Sequence, residues 1–283
     1  MTVPSIRRAC VMGHPVAQSR SPMLHGYWLE TLGLDGAYVR VDVPPRDFPD
    51  FLRNLRLNYV GGNITTPHKE AAFRLIEGHD AAAAAIGAVN TVWFEHDVLA
   101  GGNTDAFGYL AHLDDHVPGW AASGGLALVL GAGGAARAVV HALLGRGLDV
   151  AIVNRTLGRA EALAARFGRR VSAHGFAALP ALMGQAFLLT NTTSLGVAGQ
   201  PPLDIDIAAL DGNAIVYDIN YVPLETDLLK NAARRGHRVV DGLGMLLHQA
   251  VPGFSKWFGV TPQVTPELRA LLEADIRAQT SPL

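Results

Sequence analysis

The stretch Leu126-Ala-Leu-Val-Leu-Gly-Ala-Gly-Gly-Ala-Ala-Arg-Ala-Val-Val140 decides how this chain folds. Its first five residues are an apolar run that ends at Gly131. Small residues follow, and then Val139, Val140, Leu143 and Leu144 recur at helical spacing. The pattern reads as a strand, a glycine turn and a helix. Gly131 and Gly133 permit a tight turn and close backbone approach, and the helix that starts there aims unbonded N–H groups at its guest. A pyrophosphate is the usual one. The spacing Gly131-x-Gly133-x-x-Ala136 is the dinucleotide fingerprint with alanine in the third place. An ordinary strand-to-helix turn in a chain rich in alanine and glycine produces the same letters, so a second signal is needed.

That signal comes about 20 residues on, where an NAD-binding unit puts a carboxylate for the ribose hydroxyls. Here the next strand, Val150-Ala-Ile-Val153, ends in Asn154-Arg155-Thr156, with Arg159 one turn later. A guanidinium and a hydroxyl suit a 2′-phosphate, and no carboxylate is there to repel it. The cofactor read from these residues is NADP.

Beyond the fingerprint, strand and helix patterns keep alternating: helix at 160–167, strands at 187–190 and 214–217, helix at 224–235, strand at 237–240. Parallel strands with right-handed crossovers make this a doubly wound domain over 106–240. The tail, with helices at 245–258 and 266–277, lies outside it. Residues 1–105 and the tail 241–283 then form a second lobe, and a ligand site is expected in a cleft between the lobes.

In the first lobe, Ala9-Cys-Val-Met12 is a short strand running into Gly13-His-Pro-Val-Ala-Gln-Ser-Arg-Ser-Pro22. Ser21 followed by Pro22 predicts a helix start with a hydroxyl N-cap, so Ser19 and Ser21 lie where an anion is favoured. Taken alone, Ser21 only caps and Ser19 fills a loop. A strand over 37–43, a helix over 48–57 and a strand to Thr65 follow. Thr66-Pro67 predicts another helix start, with Lys69 in the first turn. A cation there opposes the helix dipole, and a residue that breaks a local rule is often functional. Asp80 caps an alanine helix over 81–86. Gly87-Ala-Val-Asn90-Thr91 and Gly101-Gly-Asn103-Thr104-Asp105 bracket a hairpin, and Asp105 opens a helix with Phe107, Leu110, Leu113 and Val117 on its apolar side.

Composition limits the function classes. The 283 residues are 49% hydrophobic, enough for two cores. With 23 basic against 25 acidic residues the net charge is −2, and nothing points to nucleic acid or an anionic membrane as partner. Cys10 is the only cysteine, so an intrachain disulfide and a thiolate metal cluster are both excluded, and a reducing cytoplasmic location is expected. Residues 1–10 have no apolar core of signal-peptide length after Arg7 and Arg8. Residues 117–136 are free of charge, but their glycines, with Pro118 and Ser123, argue against a spanning helix. The histidines show no ligand spacing and are read as surface or packing residues. No metal is expected.

Several blocks remain unexplained by local structure, and together they resemble the shikimate dehydrogenase family. They are Gly13-x-Pro15-x-x-x-Ser19-x-Ser21-Pro22, Asn63-Ile-Thr65-x-Pro67-x-Lys69, Gly87-Ala-Val-Asn90-Thr91, Gly102-Asn-Thr-Asp105, Gly131-Ala-Gly-Gly-Ala-Ala-Arg-Ala138, Asn154-Arg-Thr156, Asn191-Thr-Thr-Ser-Leu-Gly196 and Asp241-Gly-Leu-Gly-Met-Leu-Leu-His-Gln249. The order is that of the family, and the blocks span nearly the whole chain.

The resemblance implies an α/β enzyme of two lobes, an N-terminal α/β substrate-binding domain and a Rossmann NADP domain, with C-terminal helices returning to the substrate lobe. It implies NADPH-dependent, reversible reduction of 3-dehydroshikimate to shikimate in aromatic amino acid biosynthesis, by a monomer or homodimer acting on a small molecule. Lys69 and Asp105 become the pair at the reacting carbon. Ser19, Ser21, Thr65, Asn90, Tyr221 and Gln249 become the substrate contacts. Gly131, Ala132, Gly133, Gly134, Ala135, Asn154, Arg155, Thr156, Arg159, Thr192, Ser194 and Gly242 become the cofactor site. The chain departs from the family at Gln18, often His, and at Val197, often Met. Neither is a proton-transfer position, and Val197 implies looser packing at the nicotinamide. The alternatives are a quinate/shikimate dehydrogenase with broader substrate or cofactor use, a folate dehydrogenase of similar design, which lacks the two-serine motif, and a non-catalytic NADPH-binding regulatory protein. The last predicts loss of Lys69 or Asp105, and both are present.

Overall fold

The computed structural model describes residues 6–122, 124–197 and 199–280; residues 1–5, Ser123, Ala198 and residues 281–283 lie outside them. The chain forms two compact units. One comprises the described residues up to Phe107 together with Leu247–Leu272, the other Gly108–Leu246 with the described residues from Glu273.

In the first unit, β1 (Arg7–Gly13), β2 (Gly36–Asp42), β3 (Gly61–Ile64), β4 (Gly78–His79), β5 (Thr91–Glu95) and β6 (Val98–Gly102) form one sheet in the order β2-β1-β3-β5-β6-β4. β1 pairs in parallel with β2 and β3, whereas β5 runs antiparallel to both β3 and β6. The helices are α1 (Ser21–Thr31), α2 (Phe48–Arg53), α3 (Lys69–Leu75) and α4 (Ala81–Ile86). Cys10, Met12, Phe48, Leu52, Ile64, Ile76, Val89 and Val92 form a core that water does not reach. The later segment of the unit is pinned to the sheet by Trp257, whose indole N–H donates to Val92 O at 2.8 Å, and to α1 by Trp28, which donates to Gln263 O at 2.9 Å.

The alanine helix α4 keeps its expected bounds, because the Asp80 carboxylate accepts from Ala83 N at 2.6 Å and Gly87 ends the helix at φ +75°. Two helix starts in this unit differ from expectation. Ser21 is the first residue of α1 rather than its N-cap; it is the Ser19 hydroxyl that accepts the Ser21 N–H, at 3.3 Å. α3 begins at Lys69, after Pro67, because residues 65–68 close a turn through His68 N to Thr65 O at 2.9 Å. The helix α5 (Asp105–His116) is entered through Asn103, whose side-chain oxygen accepts the Asp105 N–H at 3.0 Å and leaves the Asp105 carboxylate for other partners. Phe107, read as apolar-face, is half exposed.

In the second unit, β7 (Leu126–Leu130), β8 (Asp149–Val153), β9 (Val171–His174), β10 (Ala186–Asn191), β11 (Ile215–Asp218) and β12 (Arg238–Val240) are ordered β12-β11-β10-β7-β8-β9, every pairing parallel. The helices are α6 (Gly134–Gly145), α7 (Leu157–Phe167), α8 (Leu179–Met183) and α9 (Asp227–Arg234). Strand order reverses between β7 and β10, and in such a sheet the crevice beyond the strand ends at that point is where ligands bind. α9 starts at Asp227 rather than 224 because the Thr226 hydroxyl caps it. The helices α10 (Leu243–Phe258) and α11 (Pro266–Thr280) each begin in one unit and end in the other. Among the described residues no helix is long and apolar enough to cross a membrane, and no group of His, Cys, Asp or Glu is arranged to hold a metal ion.

Candidate active site

Lys69 and Asp105, 36 positions apart, meet in the first unit with Lys69 Nζ 2.5 Å from Asp105 Oδ2. Lys69 gets there by opening α3, Asp105 by opening α5. The second carboxylate oxygen of Asp105 accepts from Asn90 Nδ2 at 2.8 Å. Asn90 is held with its NH2 group toward Asp105, since its side-chain oxygen accepts Thr104 N at 2.8 Å and the Thr91 hydroxyl at 2.9 Å. Gln249 Oε1 lies 3.3 Å from the Thr104 hydroxyl and 3.5 Å from Asn90 Nδ2. The structure thus brings Lys69, Asp105, Asn90 and Gln249 into one hydrogen-bonded group.

Ser19 and Ser21 form a second group at the start of α1, Ser21 buried and Ser19 half-buried. The Arg40 guanidinium fixes this turn by donating to Ser19 O at 2.6 and 2.8 Å. Thr65 follows β3 and is tied to β1 through its N–H to Met12 O at 2.9 Å. Tyr221 lies in the second unit, three residues past the end of β11.

The cofactor candidates are all in the second unit. Gly131, at φ +106°, ends β7, and a Cβ there would meet the Thr192 hydroxyl at 2.7 Å, so only glycine lets the β7 and β10 ends approach as they do. Apart from the adjoining backbone, no atom of the described residues lies within 4 Å of where a Cβ would stand at Gly133 or Gly134. The entrance to α6 is therefore open to a guest over Ala132, Gly133, Gly134 and Ala135, while Ala136 is fully buried against the sheet. At the end of β8, Asn154 Nδ2 donates to Thr156 O at 2.8 Å and shapes the turn into α7, leaving Arg155, Thr156 and Arg159 exposed. Thr192 donates its hydroxyl to Leu130 O at 2.6 Å, Ser194 is exposed in the following turn, and Gly242 N donates to Asn220 O at 3.2 Å. A nucleotide with a 2′-phosphate fits this set of groups: an open helix N-terminus for a pyrophosphate, and two guanidiniums with no carboxylate among them at the strand end.

The histidines pack as expected. His25 is fully buried and stacks on Tyr38 at 4.0 Å, and His68 Nε2 donates to Val43 O at 2.7 Å.

Two features escaped the sequence. Thr104 and Asn103, inside a quoted block but assigned no role, orient Asn90 and Asp105. Asp218, 1% exposed, accepts four hydrogen bonds at the end of β11. The available signal was a polar residue closing an apolar run, Ala214-Ile-Val-Tyr217 before Asp218 and Phe187-Leu-Leu-Thr190 before Asn191.

Three family models match the chain: the shikimate dehydrogenase substrate binding domain over residues 11–92, shikimate / quinate 5-dehydrogenase over 120–196, and the shikimate 5′-dehydrogenase C-terminal domain over 242–272. The shikimate dehydrogenase (NADP(+)) of Mesorhizobium japonicum is 58% identical over 97% of this chain and 98% of its own length. Among solved structures, the Thermus thermophilus shikimate 5-dehydrogenase in complex with NADP(H) and shikimate is 37% identical, with a TM-score of 0.83 over 95% of this chain and 99% of that one. The quinate dehydrogenase of Corynebacterium glutamicum in complex with NAD is 28% identical, with a TM-score of 0.85 over 95% and 99%. By these matches, over nearly its full length, the chain belongs to the shikimate dehydrogenase family.

Proposed function

We infer that the chain catalyses the reversible, NADPH-dependent reduction of 3-dehydroshikimate to shikimate. The observation that carries this reading is the Lys69–Asp105 pair, held by Asn90, in the unit that also contains Ser19 and Ser21. The first unit is read as the substrate domain and the second as the NADP domain.

The substrate has one carboxylate, a ketone or hydroxyl at the reacting carbon, and flanking hydroxyls. Ser19 and Ser21 take the carboxylate through hydroxyl and backbone donors at the start of α1. Thr65, Asn90, Tyr221 and Gln249 hold the hydroxyls or the carboxylate. NADPH supplies the hydride, and NADP accepts it in the reverse direction. As hydride adds to the ketone carbon, the carbonyl π pair moves onto oxygen, and Lys69 gives that oxygen a proton from Nζ. Its ammonium also stabilises the oxyanion that develops there. Asp105 orients Lys69 and accepts from the neighbouring hydroxyl. In oxidation neutral Lys69 takes the hydroxyl proton back. On the cofactor side, Gly131 to Ala135 at the α6 entrance face the pyrophosphate, Arg155 with Asn154, Thr156 and Arg159 the 2′-phosphate, and Thr192, Ser194 and Gly242 the remainder.

The exposed guanidinium of Arg155 at the β8 end favours NADP over NAD. The same reading puts the enzyme in a reducing cytoplasm, as a monomer or homodimer. The test is absorbance of the reduced nicotinamide with shikimate and quinate offered separately, each with NADP and with NAD. Turnover of shikimate with NADP alone is expected. Comparable turnover of quinate, or a preference for NAD, moves the chain to a broader quinate/shikimate class. No turnover with any pair leaves a nucleotide-binding regulator.

A further inference from the structure

In register across the parallel pair β10 and β11, Asn191 stands opposite Asp218, each the last residue of its strand. The Asp218 carboxylate is buried. Oδ1 accepts from Asn191 Nδ2 at 3.0 Å, from Asn220 N at 3.1 Å and from Asn220 Nδ2 at 2.9 Å; Oδ2 accepts the Thr226 hydroxyl at 2.7 Å. The bonds extend outward from there. Asn191 Oδ1 accepts both the N–H and the hydroxyl of Thr193, at 3.0 and 2.8 Å, and Asn220 Nδ2 also donates to Thr193 O at 2.9 Å. Asn220 O accepts Gly242 N, and the Thr226 hydroxyl, having donated to Asp218, accepts Leu229 N at the start of α9. One carboxylate therefore ties together the turn carrying Thr192 and Ser194, the turn carrying Tyr221, the turn at Gly242 and the entrance to α9.

We propose that Asp218 is a positioning residue for the reaction, fixing the turns at 191–196 and 219–221 so that Thr192, Ser194 and Tyr221 are presented in one arrangement. This rests on the functional reading above. No ion pair is formed with Asp218 among the described residues, and such a charge is affordable in the interior only because each oxygen is met by donors. Burial raises its pKa and the hydrogen bonds from Thr226, Asn220 and Asn191 oppose that rise. Both oxygens are spent inside the fold, so its influence on substrate and cofactor runs through the turns it holds. Removing the carboxylate leaves four donors to find new partners. An amide in its place keeps three of them on oxygen, and its N–H₂ meets the Thr226 hydroxyl as donor, a reversal the hydroxyl accommodates.

The experiment compares wild type, Asp218→Ala, Asp218→Asn and Asn220→Ala by steady-state kinetics with shikimate, by NADP titration and by amide hydrogen exchange. For Asp218→Ala kcat is expected to fall by about 10- to 100-fold, the range for groups misplaced by about an ångström. Its shikimate KM rises, and NADP affinity, set largely at the Arg155 end, changes far less. Exchange quickens at 191–196 and 219–221 and not across the unit. Asp218→Asn restores kcat and protection. Asn220→Ala, at a half-buried turn position, loosens the same two segments to a smaller degree and carries the test if Asp218→Ala does not fold. The proposal is overturned if Asp218→Ala matches wild type, if Asp218→Asn is as impaired as Asp218→Ala, or if exchange rises uniformly. Absence of shikimate turnover in wild type would sink the functional reading instead, and the exchange pattern would still decide whether Asp218 holds these turns.

Discussion

Lys69 Nζ and Asp105 Oδ2 are 2.5 Å apart, a charge-assisted contact between the first residues of two helices, with the lysine side chain 28% and the aspartate 12% exposed. At a helix N-terminus the acid is the stabilising partner and the lysine the misplaced one. What keeps the lysine there is Asp105, and what fixes Asp105 is Asn90 on one oxygen and Asn103 on its backbone. The chain keeps an ammonium group in a locally unfavourable place, which is what the proton-donor role proposed for Lys69 requires.

For Lys69→Ala we expect kcat to fall by about 10²- to 10⁴-fold, the span of general acid catalysis. NADP affinity, measured by fluorescence titration, should be unchanged, since the role proposed for the lysine is in the transition state. A variant that loses NADP instead would show that Lys69 belongs to the cofactor site.

Asn90→Ala should cost both stability and rate. Its side-chain oxygen is the acceptor for Thr104 N and the Thr91 hydroxyl, and its amide is a donor to Asp105. Leaving a buried N–H unpaired costs about 1–3 kcal/mol, which denaturant unfolding resolves. Wild-type stability in the variant would mean that water fills the gap.

How far the sequence carried this reading depended on the reach of each interaction. The strand Leu126–Leu130 and the helix Ala81–Ile86 have their expected bounds because a glycine turn and an aspartate cap set them within a few residues. The strand Val171–His174 carries too weak a signal to be read: it is an edge strand of its sheet, and Ser172 and His174 interrupt its apolar character. The helix Leu179–Met183 is five residues long with a proline inside, too short for a period to show. In the site, the sequence pairs Lys69 with Asp105 only through the resemblance to the family, not through spacing, because the two stand 36 positions apart with sheet and helix between them. Of the Asp218 network the sequence shows only that Asp218 and Asn191 each close an apolar run, not that they meet. Its partners come together only through the register that sets Asn191 opposite Asp218.

Arg155→Ala tests the cofactor assignment. Charge-assisted hydrogen bonds contribute about 1.5–3 kcal/mol, so the KM for NADP should rise by roughly 10- to 100-fold. The KM for NAD, which has no 2′-phosphate, should barely move. Equal losses for both cofactors would mean that Arg155 supports the fold of the β8–α7 turn rather than the phosphate.

His25 makes a prediction about acid stability. It is fully buried, stacked on Tyr38 at 4.0 Å and on Phe254 at 5.9 Å, and neither ring nitrogen has a hydrogen-bond partner among the described residues. Burial lowers its pKa from 6.5 to about 3, so the folded protein holds the neutral ring. Between these two values the unfolded chain binds a proton that the folded one refuses, and acidification therefore favours unfolding. The stability the neutral ring confers is complete above about pH 6.5 and declines as pH falls toward 3, by about 1.4 kcal/mol per pH unit for one proton. His25→Phe keeps an aromatic ring in the stack and removes the proton site. Urea unfolding of both proteins at several pH values between 4 and 7 is the measurement. The wild type should lose stability relative to the variant as pH drops through this range. Parallel curves would show that the ring is solvated or partnered in solution and that its burial contributes nothing to acid lability.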